Sequence, residues 1–218
     1  MSDAYLTIEA PAYGEYKEKG SKFMAFAYPM NDEEDLNAYL DTLRSEHHKA
    51  RHFCYAYQIG TGQDRYRMND DGEPSGTAGK PIYGQILSYG VTNLLIVVVR
   101  YFGGTKLGVS GLIQAYKDAA RAALDAAEIV QKYITSSYML AFDYDQMGHI
   151  MNVLKDLDIH ITDKSFEVNC AVTIQLRQSE ETTMLHRLVA RLLNKSMEEV
   201  CEETPVSSCK ITRLISGK

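Results

Sequence analysis

The sequence predicts an α+β protein in two parts, and three observations carry that prediction. In the first half, a wholly apolar strand runs into a glycine-rich elbow and then an amphipathic helix. After Ala127 the chain leaves that helix and changes character. The second half then reads strand, helix, strand, strand, helix, strand, the βαββαβ order of a ferredoxin-like split βαβ unit with an antiparallel sheet. The parts are taken as residues 1–132 and 133–218.

The elements follow in order. Tyr13 to Met30 alternates well enough for one or two strands, with Gly20 as a turn and Pro29 as a stop. Asn31 or Asp32 caps a helix over residues 32–50, whose early acids and late Arg44, His47, His48 and Lys49 complement the helix dipole. Residues 52–60, HFCYAYQIG, alternate aromatic and small side chains as a strand, and a short strand follows around residues 64–68, DRYRM. The segment NDDGEPSGTAG at 69–79 is a loop by its glycines, proline and acids, and residues 81–90 form a short helix. Leu94 to Arg100 holds one polar side chain, as a strand buried on both faces does. Gly103, Gly104, Gly108 and Gly111 then permit positive φ and close backbone approach, and Gly111 opens a helix over residues 112–128. Ser110 reads as its N-cap. In the second half the strands are placed at 136–144, 159–166, 167–177 and 208–214, the middle two joined around Glu167, with helices at 145–157 and 180–195.

Composition sets the class. The longest apolar run, LLIVVV, is far too short to span a bilayer, and the first residues carry acids and tyrosines where a secretory signal needs a basic and then an apolar segment. A cytoplasmic protein with no membrane partner is therefore expected. Cys54, Cys170, Cys201 and Cys209 form no C-x-x-C pair and read as reduced packing residues. The net charge of −6 argues against coating nucleic acid through bulk positive charge. Its distribution points the other way: from Pro74 to Lys117 there is no Asp or Glu, while Lys80, Arg100, Lys106 and Lys117 are positive. That island is either an anion-binding surface or a buried region with snorkelling cationic ends.

The elbow VVVRYFGGTKLG has neither G-x-G-x-x-G nor G-x-x-x-x-G-K-[ST] spacing, which excludes the common nucleotide fingerprints. Strand, elbow and helix N-terminus, with Arg100 and Lys106, still provide an anion corner for phosphate, carboxylate or a nucleic-acid backbone. Asp70, Asp71 and Glu73 are weak candidates for holding Mg²⁺ beside it, but Asp-Gly and Glu-Pro-Ser-Gly are strong turn sequences, and the turn is favoured. His47, His48 and His52 with Cys54 do not share a helix face, so a metal cluster is not expected; HHKARH reads instead as a second small basic cluster. Phe53, Tyr55 and Tyr57, with Tyr101 and Phe102 at the elbow, offer faces for bases, though period-two aromatics in a strand mostly pack inward. No G-x-S-x-G, H-E-x-x-H or Cys–His arrangement for catalysis stands out, and no cofactor is indicated.

Together the segments EKGSKF at 18–23, ARHFCYAY at 50–57, DDGEPSGTAGKPI at 70–82, VVRYFGGTKLG at 98–108 and AY at 115–116 resemble the YigZ/Impact family. The second half looks like the C-terminal domain of the bacterial members and is similar to the last domain of elongation factor G. The resemblance implies that the first half is a left-handed βαβ domain, like a ribosomal small-subunit protein domain, domain four of elongation factor G and GHMP-type kinases. It also implies nucleic-acid binding and, for eukaryotic relatives, regulation of translation initiation through an amino-terminal RWD domain, which has no counterpart in this sequence. Family members read G-G-L-[VI]-R-A-Y after the elbow; here the run is Ser110, Gly111, Leu112, Ile113, Gln114, Ala115, Tyr116, so Gln114 replaces a cation. Lys22, His52, Arg100 and Lys106 match the family pattern.

The expectation is a non-catalytic RNA- or ribosome-binding protein linked to translation, using Lys22, Arg51, His52, Arg100, Gly103, Gly104, Lys106 and Gly108. The alternative is a small-molecule enzyme that binds a phosphorylated ligand at the elbow. Self-association is left open.

Overall fold

A computed structural model describes residues 3–62, 65–166 and 170–214. Mixed helix and sheet fall into two compact units, one over Tyr5–Lys132 and one from Tyr133 onward that also takes in the chain through Ala4. The layout is α+β, as the element order predicts.

In the first unit the strands are β1 (Ala4–Ile8), β2 (Ala12–Glu18), β3 (Ser21–Pro29), β4 (His52–Ile59), β5 (Arg65–Asn69), β6 (Leu94–Tyr101) and β7 (Ile129–Tyr133). The helices are α1 (Leu36–Glu46), α2 (Gly79–Tyr89) and α3 (Gly108–Asp125). Five strands form one sheet in the order β2-β3-β6-β4-β5. Every pairing in it is antiparallel.

β6 lies in the middle of that sheet, and its side chains alternate between two cores. Leu94, Ile96 and Val98 join Phe23, Ala25, Cys54 and Ala56 in a core closed by α2 and α3 through Ile82, Ile86, Leu112 and Tyr116. Leu95, Val97 and Val99 join Phe53, Tyr55 and Tyr57 in a second core closed by α1 through Leu36, Leu40 and Leu43. A strand covered on both faces has no solvent side, hence no polar alternation. Each such side chain is worth about 1.5–3 kcal/mol relative to leaving it in water. The strand aromatics of β4 are therefore core residues and offer no face to a base.

Several boundaries differ from the sequence expectation, most by one to three residues, and two of them bear on the site. The first helix opens with a 3-10 turn over Glu33–Asp35, capped when the Asp32 carboxylate accepts from the Glu34 N–H at 3.1 Å, and it ends at Glu46. His47 is its C-cap, so His48 and Lys49 lie past the helix, in the turn to β4. The elbow helix starts at Gly108 rather than Gly111, with Leu107 at the N-cap and no side-chain cap, so Ser110 sits inside the first turn and caps nothing. Two strands went unread: β1 and β7 pair with each other as a separate two-stranded ribbon. They are short and lack the strict alternation that marks a half-buried strand.

In the second unit, β8 (Thr135–Phe142), α4 (Met147–Asp156), β9 (His160–Phe166), β10 (Cys170–Arg177), α5 (Glu181–Leu193) and β11 (Lys210–Leu214) follow in the order βαββαβ. They form an antiparallel sheet ordered β11-β8-β10-β9. Leu140, Val172 and Ile174 from the sheet and Ile150, Leu154 and Leu188 from the helices make its core. Asp3 is tied to this unit: Ile134 N–H donates to its carbonyl at 2.8 Å, and Ser179 Oγ–H donates to its carboxylate at 2.7 Å. The expected turn around Glu167, and Asp64 at the start of the short strand, lie outside the described residues.

Candidate functional site

β3, β4 and β6 bring Phe23, Arg100 and His52 into one row across the sheet, because Phe23 pairs with Arg100 on one side and His52 pairs with Arg100 on the other. By the two-residue period of a strand, Arg100 points to the same face as Val98, toward α2 and α3. That face is closed and apolar, so a guanidinium there needs a partner. Glu73 supplies it: Arg100 Nη1–H donates to Glu73 Oε1 at 2.5 Å, with the two side chains 7% and 4% exposed. The Phe23 and Phe102 rings flank the guanidinium at 5.3 and 5.6 Å from its carbon. Arg100 Nε is buried with no hydrogen-bond partner among the described residues.

A buried chain of polar groups continues from Glu73. Tyr116 of α3 donates its O–H to Glu73 Oε1 at 2.8 Å, and the Cys54 thiol reaches Tyr116 Oη at 3.3 Å and the Asp70 carbonyl at 3.0 Å. Burial pushes both the Cys54 thiol and the Tyr116 phenol up, and the nearby Glu73 charge adds to it for each. Both stay protonated as hydrogen-bond donors in this chain.

The acidic loop is organised by the chain itself. The Asp70 carboxylate accepts from the Gly76, Ala78 and Gly79 N–H groups at 2.8, 2.9 and 2.9 Å, which fixes the start of α2. Asp71 Oδ2 accepts from Phe53 N–H at 2.6 Å. Glu73 is held by Arg100 and Tyr116. The three acids thus face three different sets of donors, and no cluster with metal-ligand geometry occurs among the described residues. Histidine–cysteine ligation fails likewise, since Cys54 is inside the core while His47 Nδ1 is 3.0 Å from Tyr101 Oη.

Where β4 begins and β6 ends, a cleft of about 510 Å³ opens, lined by Lys49, Arg51, His52, Arg100, Tyr101 and Phe102. Antiparallel pairing of the two strands puts these six residues together, although they come from two segments about fifty positions apart. The His52 Nδ1 lies 2.8 Å from the Asp71 carbonyl, which can only accept, so that nitrogen carries the hydrogen and Nε2 is left as the other ring nitrogen. Among the described residues Lys49 and Arg51 take part in no ion pair. The cleft therefore carries uncompensated positive charge from these two, while the charge of Arg100 is matched.

The other expected residues are placed elsewhere. Lys22 sits one position from Phe23, so it points to the opposite face of the sheet, where its ammonium pairs with Glu15 at 2.9 Å. Lys22, then Tyr13 and Lys17, hold the Glu15 carboxyl down at about 2. Lys106 is exposed in the turn before α3 and does not line the cleft. Gly103 serves packing: a Cβ there would lie 1.9 Å from the Gly20 carbonyl carbon, so the elbow backbone lies directly on the β2–β3 turn, where Gly103 N–H also donates to Ser21 Oγ at 3.1 Å. Gly104 and Gly108 have φ of +87° and +74°, in the left-handed region glycine favours. The sequence shows Lys49 only within the basic cluster HHKARH, and Tyr101 and Phe102 only as aromatic flanks of the elbow; that they line one cleft is not visible in it, because the adjacency of the two segments comes from strand pairing. The Glu73 partner was hidden because it stands one residue before the acid-free stretch begins.

The chain is similar to several known proteins. The Impact N-terminal domain matches residues 19–124, which takes in the whole cleft. The IMPACT family member YigZ of Escherichia coli strain K12 is 32% identical over 176 residues, covering 80% of this chain and 86% of that protein. The chain belongs to the IMPACT family. The Protein IMPACT homolog of Saccharomyces cerevisiae is 38% identical over 96 residues, which is 42% of this chain and 36% of that protein. A crystal structure of a hypothetical protein superposes with a TM-score of 0.68 at 27% identity, covering 100% of both chains. The family match thus covers the half that holds the cleft, and the solved structure extends the likeness over both units.

Proposed function

We propose that this IMPACT-family protein is a translation-linked factor of the cytoplasm that binds RNA or the ribosome through the cleft of its first unit. One observation carries the reading: Lys49 and Arg51, two cations without acidic partners among the described residues, meet at a concave site in a chain of net charge −6. Bulk attraction to polyanions is weak for such a chain, so affinity depends on the local cations and on shape. Membership in the family supports the link to translation, which the resemblance implies for its eukaryotic relatives. The roles shift from the sequence expectation: Lys49 and Arg51 contact phosphates, Arg100 holds the wall of the cleft, and Lys106 extends the surface from the neighbouring turn. We read the second unit as a ferredoxin-like domain resembling the last domain of elongation factor G. No helix of the described residues is long and apolar enough to cross a membrane.

The test is a salt titration of binding to ribosomal or transfer RNA. Arg51→Ala and Lys49→Ala should each weaken binding and lower the slope of log K against log salt by about 1, as loss of one phosphate contact does. Binding that is absent at low salt, or unmoved by both variants, would remove the reading.

A further inference from the structure

Phe102 is 59% exposed and stands at the rim of the same cleft. It follows Tyr101, the last residue of β6, and its ring lies against the Arg100 guanidinium. The sheet fixes Arg100 through the pairing of β6 with β3 and β4 and through Glu73, so the ring rests on a rigid support. An aromatic ring held at the mouth of a cationic cleft offers what an unpaired base needs, a π-face beside positive charge.

We propose that the cleft takes one unpaired nucleotide, its phosphate between Lys49 and Arg51 and its base stacked on Phe102. The inference rests on the RNA reading above and narrows it. A volume of about 510 Å³ falls within the ordinary range for a small-molecule site. Arg100 forms part of the wall with its charge already matched by Glu73, so Lys49 and Arg51 supply the positive charge that a phosphate in the cleft meets. A duplex cannot use this site in the same way, because its bases are stacked on one another and its deep groove hides their edges and faces. The cleft therefore selects loops, bulges and ends over paired RNA.

Fluorescence anisotropy with the full chain decides the matter, using a labelled short single-stranded RNA, the duplex of the same sequence, and an unlabelled nucleoside monophosphate as competitor. The expected result is tighter binding of the single strand than of the duplex. Phe102→Ala should weaken single-strand binding about tenfold, the size of one base–aromatic stack, while Phe102→Tyr retains it. Arg51→Ala should weaken single strand and duplex alike. Thermal melting of each variant checks the fold, which an exposed side chain leaves intact. Equal binding of both RNAs with no effect of Phe102→Ala overturns the inference and leaves the RNA reading standing. Competition by the monophosphate at the same concentration as the oligonucleotide, with both lost in Phe102→Ala, keeps the nucleotide site and overturns the RNA reading. No saturable binding of any probe at low salt overturns both.

Discussion

Arg100 and Glu73 are bonded at 2.5 Å with both side chains almost out of water, and Glu73 has only Arg100 and Tyr116 to satisfy it among the described hydrogen bonds. A charge pair in that position holds the acidic loop, the end of β6 and the middle of α3 to one another. Among the described residues neither side chain makes a second ion pair.

Removing one member of the pair should therefore cost far more than removing both. Arg100→Ala or Glu73→Ala is expected to lose about 3–5 kcal/mol, because each leaves an uncompensated buried charge, whereas replacing both with apolar residues of similar volume should recover most of that loss. Urea denaturation of the two single variants and the double variant measures it. Additive losses would contradict the pair.

Tyr116→Phe tests the next link. The hydroxyl bridges Cys54 and Glu73, so its loss should cost about 1–2 kcal/mol and leave the packing of the ring against Phe23 in place. Chemical denaturation gives the stability, and an unchanged midpoint would mean the bridge contributes nothing.

Glycines of the elbow should separate by mechanism. Gly103→Ala pushes a Cβ into the Gly20 backbone, which cannot swing aside, and should cost about 1–3 kcal/mol or displace the β2–β3 turn. Gly104→Ala meets open space and is strained only by its positive φ, at a cost of about 1–2 kcal/mol. A crystal structure of each variant, with melting curves, distinguishes them: only Gly103→Ala should move residues 18–21.

The thiols should titrate against the fold at alkaline pH. Burial pushes the Cys209 thiol up to about 11 and raises Cys54 as well, while an unfolded cysteine loses its proton near about 8.5. Above that value the unfolded chain binds fewer protons than the folded one, so stability falls as pH rises and is complete only below it. Melting temperature should decline more steeply from pH 8.5 upward in the parent than in Cys209→Ala. At neutral pH a thiol reagent should label Cys201 alone in the native protein and all four cysteines in denaturant, since Cys54, Cys170 and Cys209 are buried. Cys201 is thus the exception to the expectation of four packing cysteines.

Much of this protein was legible in its sequence because local rules were strong. The run from Leu94 to Val99 can only be a strand with two covered faces, and the order βαββαβ after it follows from periodicity and turn residues. The turn character of NDDGEPSGTAG was equally plain, and Asp70 now shows which N–H groups its acids cap. The helix ends were less so: Ser110 and Gly111 look like a start, yet α3 begins at Gly108, because the chain enters the helix with no side-chain cap at all. Residue type alone favoured the better capping residue, whereas the chain turns into the helix three residues earlier, at Gly108 with φ +74°.

By itself the sequence determined the two-part α+β layout, the buried central strand, the glycine elbow and the motifs that mark the family. Only the tertiary structure decided which cations face which way. Lys22 and Arg100 read as equivalent positive charges, but the two-residue period of a strand sends one to Glu15 on one face of the sheet and the other to Glu73 on the opposite face. The antiparallel pairing of β4 with β6 then joins Lys49 and Arg51 to Phe102 in one cleft. Charge and composition are local properties that a sequence displays. Register and facing are relations between segments distant in the chain, fixed only when the strands pair and the cores close.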